Sequence, residues 1–243
     1  MIARLTGDPD DVSAAADGSI WVSDSDLNAV LHLSGGGAVL ARIQVNDPEG
    51  SVVLPDGQLV VADQAGNRIV IAALTPGAQA KELAALPAAA GQLGVDGIGY
   101  DAAGAQLLVP DSPVGRLFSI SPASGALTLL ASGMGRIVDA TIGPDGAIYA
   151  VAETARGLQR VPAGGGAAVQ VGGLSDLDDV VALNGLLYVT DLSGSVWAVD
   201  PSSGGQRELV SHAAAPQGLV VLGGRLVLVD ETSRALSWLP PCA

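Results

Sequence analysis

A unit of about forty residues recurs six times along this chain, and a period of that length built from short apolar runs and glycine turns is the mark of a propeller. The repeats cover residues 11–24 (DVSAAADGSIWVSD), 50–63 (GSVVLPDGQLVVAD), 97–111 (GIGYDAAGAQLLVPD), 139–153 (DATIGPDGAIYAVAE), 179–191 (DVVALNGLLYVTD) and 218–230 (GLVVLGGRLVLVD). Their starts are separated by 39, 47, 42, 40 and 39 residues. Spacing this regular constrains the architecture far more tightly than it constrains any substrate.

Each unit reads as a four-stranded antiparallel blade. A first apolar run meets a tight turn, as at Asp17-Gly18, Asp56-Gly57, Asp145-Gly146 or Asn184-Gly185, where Gly and Asn tolerate the positive φ of a two-residue hairpin. A second run follows, with large β-formers such as Trp21, Tyr149 and Tyr188, and ends at Asp24, Asp63, Asp111, Glu153, Asp191 or Asp230. Third and fourth runs follow after short polar loops, as at residues 29–33 and 39–43. The sixth unit lacks a fourth run, while residues 2–6 form an apolar segment without a partner. Placing that segment in the last blade closes the ring and removes the open edges. The fold expected is all-β: one six-bladed β-propeller domain over residues 1–243, with residues 2–6 completing the sixth blade.

Composition fits a core of Val, Leu, Ile and Ala between blades, since 49% of the chain is hydrophobic but only 3% aromatic. Helix has little room. The Ala-rich stretch 78–91, interrupted by Pro87, reads as a surface connection between blades. No apolar run approaches the roughly 20 residues that span a bilayer, so no membrane partner is expected. Residues 1–4 run straight into the closing strand without a signal-peptide pattern. That reads as a cytoplasmic chain, the alternative being a secreted one whose signal peptide is absent from this sequence. Cys242 is the only cysteine, which leaves no internal disulfide and no cysteine-based metal site.

The formal net charge is −14, and Lys81 is the only lysine among eleven basic residues. A chain so charged lacks the dense cationic track that phosphate backbones require, so nucleic acid is excluded as a partner. The positions of the carboxylates are more telling than their number. The first strand of each blade lines the channel, and counting back from each turn places Asp10, Glu49, Asp96, Val138 with Asp139 beside it, Asp178 with Asp179 beside it, and Gln217 at its mouth. Carboxylates crowded in a narrow mouth repel one another unless a cation relieves them. Oxygen-only ligands suit calcium, with magnesium, manganese or zinc as alternatives. Against this, acidic residues at strand starts also cap backbone N–H groups or face water. The second acidic set, at the ends of the second strands, is explained by loop hydrogen bonds and by pairing with neighbours such as Arg116, Arg156 and Arg234. Trp21, Tyr149 and Tyr188 read as inter-blade core.

His32 lies within a third strand and reads as packed, whereas His212 precedes Gln217 on the mouth side, from where it could act as acid or base. The nucleophile elbow, the zincin motif and the phosphate-cradling glycine loop with lysine are all absent from the sequence.

Second strands such as Leu59-Val60-Val61-Ala62-Asp63, followed by Asn67-Arg68-Ile69, resemble those of the senescence marker protein 30/gluconolactonase family and the related NHL-repeat propellers. The resemblance spans nearly the whole chain. It implies a divalent cation held in the channel by carboxylates and Asn side chains, and hydrolysis of a small lactone or ester. Glu49-Gly50 resembles the family's Glu-Gly ligand motif, with Ser51 where Pro is usual. Asp96-Gly97 resembles its Asn-Gly or Asp-Gly motif, and Asp139-Ala140 the segment whose Asp is both ligand and general base, with Ala140 in place of Gly. No Asn stands at a channel-start position, and Asp10 and Asp178 add charge beyond the usual site. The resemblance thus covers Glu49, Asp96 and Asp139; with Asp10 and Asp178 from the channel count, the candidate ligands are five, and Asp139, Asp178 or His212 is the candidate base. The alternative is a non-catalytic NHL-type propeller that offers its loop face to a peptide, glycan or protein. A monomer is expected in either case.

Overall fold

The computed structural model describes residues 1–75, 77–87 and 94–240. They form six four-stranded antiparallel sheets, each pairing in simple meander order, and the sheets stand as blades around a central channel. Blade 1 shows the pattern: inner strand Pro9–Ala14, then Ile20–Asp24, Ala29–Leu33 and outer strand Val39–Gln44. Asp17-Gly18 makes its first hairpin, with Gly18 at φ 84°, a conformation that a side chain would resist.

The ring closes as expected. In blade 6 the strands Pro216–Leu222, Arg225–Asp230 and Ala235–Trp238 are completed by Ala3–Arg4, which pairs Ala3 with Leu236 and Arg4 with Ala235. Ile2 N–H donates to Leu236 O at 2.6 Å and Leu5 N–H to Arg234 O at 2.8 Å, so the seam extends beyond the two named residues.

The second strands are buried on both faces because each blade packs against two neighbours. Trp21 of blade 1 packs with Leu59 and Val61 of blade 2, Tyr149 of blade 4 with Leu187 of blade 5, and Tyr188 of blade 5 with Leu226 of blade 6. All three aromatics are buried, as their place in the repeat requires. Each such side chain contributes about 1.5–3 kcal/mol by leaving water.

One segment departs from the sequence reading. Lys81–Ala85, expected within a connecting loop, is the outer strand of blade 2 and pairs with Arg68–Ala73. Its own residues have little β preference. The open edge of the preceding strand and the burial of Ala84 and Leu86 in the cluster between blades 2 and 3 decide its conformation. Residues 88–91 of the Ala-rich stretch, and Cys242, lie outside the described residues. Among the described residues no helix is long and apolar enough to cross a membrane.

Candidate functional site

Five of the six inner strands carry a bulge near their start. In blade 1, Pro9 pairs with Asp24 and Val12 with Val22, so Asp10 and Asp11 together oppose one residue, and blade 5 repeats this between Leu177 and Val180. A bulge holds two consecutive side chains out of the normal alternation. Both therefore face the channel, and a run such as Asp-Asp contributes to it twice.

The result is two rings of side chains around a cavity of about 450 Å³ at one mouth. Asp10, Glu49, Asp96, Asp178 and Gln217 form the outer ring, and Asp11, Gly50, Gly97, Asp139, Asp179 and Gly218 the inner ring. Val12, Ile98, Tyr100, Val180 and Leu219 supply apolar wall. At the inner ring the strands approach so closely that a Cβ on Gly50 would stand 2.5 Å from Gly97 Cα.

The inner carboxyls join blades. Asp11 Oδ2 accepts the Ser51 N–H of blade 2 at 2.6 Å, Asp139 Oδ2 the Val180 N–H of blade 5 at 3.2 Å, and Asp179 Oδ2 the Leu219 N–H of blade 6 at 2.5 Å. At Gly50 and Gly97 of the inner ring, backbone does the same work. Gly50 N–H donates to Asp96 O at 3.2 Å and Gly97 N–H to Val138 O at 2.7 Å. Burial raises the pKa of both Asp139 and Asp179, whose carboxyls are also hydrogen-bonded to each other. Two carboxyls in that position hold one proton between them.

In the outer ring, burial pushes Asp10 up to about 8 even though it accepts the Ser25 N–H at 3.1 Å. Burial and then the charges of Asp96 and Asp10 push Glu49 up to about 9. Asp178 is likewise driven well above the carboxylate range, by burial and next by Asp96. Asp96 rises by burial to about 7, opposed first by Arg136. The Arg136 guanidinium stands 3.2 Å from Asp96 Oδ2 and is also ion-paired with Glu153. It is the only basic side chain lining the cavity among the described residues.

The five carboxylates singled out from the sequence, Asp10, Glu49, Asp96, Asp139 and Asp178, thus share one cavity. His212 does not line it: its side chain is exposed and its backbone is left-handed, φ 62°. His32 stacks on Trp21 with ring centroids 4.2 Å apart, as a packed strand residue. Asp11 and Arg136 were not singled out. The doubled Asp10-Asp11 was one signal, and the other was that Arg136 is the only basic residue among those preceding the inner strands, Asp8, Asp47, Ile98, Arg136, Asp176 and Ala215.

The second acidic set mostly serves the loops, as expected. Asp63 holds Arg68 at 2.7 Å, Asp111 holds Arg116, Asp191 accepts Trp197 Nε1–H at 2.7 Å, and Asp230 accepts the Ser233 N–H at 2.8 Å. Glu153 differs: its strand ends one residue earlier, at Ala152, and its partner is Arg136, not Arg156.

Oxygen donors alone would suit a hard cation, but the arrangement does not fit one as it stands. Among the described residues no three His, Cys, Asp or Glu side chains converge on a point that could hold an ion. Asp96 is engaged by Arg136 and Asp139 by a backbone N–H.

No family model matches the sequence, and no curated protein matches it. Solved structures do. A gluconolactonase from Xanthomonas campestris superposes with TM-score 0.76 at 14% identity, over 98% of this chain and 87% of that one. A streptogramin B lyase gives 0.75 at 13% identity, over 99% and 86%, and the nidogen/laminin complex 0.74 at 18%, over 86% and 83%. At such identities the likeness shows the six-bladed fold, which a gluconolactonase, a lyase and a nidogen/laminin complex share.

Proposed function

We propose that the mouth cavity binds a small organic molecule bearing a positive charge, held between Glu49 and Asp178. One observation carries this reading. Of eight carboxyls lining the cavity, six are engaged by the protein: Asp10, Asp11, Asp139 and Asp179 by backbone N–H groups, and Asp96 and Glu153 by Arg136. Among the described residues Glu49 and Asp178 accept no hydrogen bond. They belong to blades 2 and 5, on opposite sides of the ring. Half-buried carboxyls without a donor are costly as anions, and a cation between them would remove that cost. The volume is that of a small-molecule site, with apolar wall beside a dense set of acidic groups.

Hydrolysis of a lactone or ester with a divalent cation, the chemistry implied by the sequence resemblance, would use this same cavity. The donor set favours it less, because Asp96 and Asp139 are already committed. A peptide or glycan at the loop face would meet the same acidic mouth.

Calorimetry with a panel of alkylamines, diamines and quaternary ammonium ions, run beside calcium and manganese, tests the proposal. Micromolar to millimolar amine binding is expected, weakened tenfold or more in Glu49→Gln/Asp178→Asn. Affinity should rise with pH toward the Glu49 value of about 9, because the cation binds the deprotonated form. Amine silence together with calcium-dependent turnover of a lactone would replace this reading with the hydrolase.

A further inference from the structure

We infer, resting on the reading of Glu49 and Asp178 as a cation site, that the molecule held there is a monocation with an apolar tail, which lies down the channel past Val53, Tyr100 and Val181. The cavity is graded from charged to apolar. Its carboxyls stand at the two rings or beside them, where Arg136 pairs with Asp96 and Glu153. Below the inner ring the same cavity continues over Ala14, Val53, Tyr100, Thr141, Val181 and Val220. None of these side chains carries a charge, and each keeps part of its surface uncovered although blades pack on both sides. The Ser13 and Ser51 hydroxyls, which also line the cavity, bond to each other at 3.0 Å and call for no further partner.

The inner carboxyls leave the way open. Asp11, Asp139 and Asp179 turn onto the next blade, where each accepts a backbone N–H, and the other three inner positions are glycine. From Glu49 to Val53 along one strand is roughly 12 Å at the rise of extended chain. A tail of several carbons fits within that depth and within a volume of about 450 Å³.

Charge complementarity selects the occupant. A second ammonium at the far end, as in a long diamine or a polyamine, would stand against apolar wall without a partner. A metal ion would leave that wall against water. A single cationic head on a hydrocarbon tail pairs with the open carboxylates and covers the wall at once.

Calorimetry with straight-chain primary amines from ethylamine to decylamine, beside diamines of matching length, tests the inference. Affinity should rise about fourfold per added methylene, the transfer value of a buried CH₂, and level off once the tail fills the channel. The longer monoamines should bind at least tenfold more tightly than diamines of their length. Val53→Thr and Val181→Thr, which keep the side-chain shape, should each lower the ratio of octylamine to ethylamine affinity at least threefold. That ratio is the readout because a misfolded variant loses both ligands. Ala14→Leu should bring the levelling-off at a shorter chain. Amines that bind with no gain from chain length, or diamines as tight as monoamines, overturn the tail and leave the mouth site standing. Silence from every amine overturns the mouth site and the tail with it.

Discussion

Asp10 and Glu49 impose a pH dependence whose direction can be worked out from their surroundings. Their folded values of about 8 and 9 lie above the ordinary values of 3.8 and 4.5, so over the intervening range the unfolded chain gives up protons that the folded chain keeps. Stability contributed by the neutral groups is complete at low pH and is lost as pH rises through the window between each pair of values. Thermal melting of Asp10→Asn and Glu49→Gln should accordingly be higher than that of the parent at pH 8, by roughly 1 kcal/mol each. At pH 4 the difference should vanish. Arg136→Gln should act in the opposite sense, since it strips Asp96 and Glu153 of their one internal cation. A loss of about 1 kcal/mol is expected at pH 8, partly screened because the guanidinium is half-exposed, and a smaller one near pH 5. Equal melting of Arg136→Gln and the parent across this range would mean that the ion pairs contribute nothing. Counting back from the hairpin turns was enough to find Glu49 and Asp96 in the sequence. It could not find Asp11, because a bulge adds a residue to one strand without changing the turn from which the count is made.

The inner strand is the element that converts repeat into ring. Its bulge turns Asp11, Asp139 and Asp179 toward the next blade, where each accepts a backbone N–H that would otherwise be buried without a partner. Asp179→Ala should cost about 1–3 kcal/mol, the usual scale for such an orphaned donor. Hydrogen exchange should localise the damage, with the Leu219 amide losing protection before the outer strands of blades 5 and 6. Protection lost evenly over all six blades would argue against a local latch. These roles were hidden in the sequence because a carboxylate at a strand start looks the same whether it awaits a ligand or caps a neighbour. The outer strand Lys81–Ala85 was hidden for a related reason: its residues favour no strand, and only the exposed edge beside it makes them one.

At the scale of the molecule, the six-fold period, the hairpin turns and the missing fourth strand of the last unit were all legible, because each is a local pattern repeated. The arrangement around the channel axis was not, since it depends on six segments meeting that are distant in sequence. Removing residues 1–6 should expose the edge of Ala235–Trp238 and lower the melting temperature by several degrees or cause aggregation, as light scattering on the truncated protein would show. A truncated chain with unchanged melting would mean that the seam carries no load. The seam also fixes an order of events. Of the ring's strands, the one synthesised first pairs with the one synthesised last, Ala3 with Leu236. Five blades can therefore be complete while the circle is still open, and its final closure waits on the contact most distant in sequence within the ring. The first strand of the ring to be made is the last to be used, and anything that occupies it in the meantime delays the whole ring.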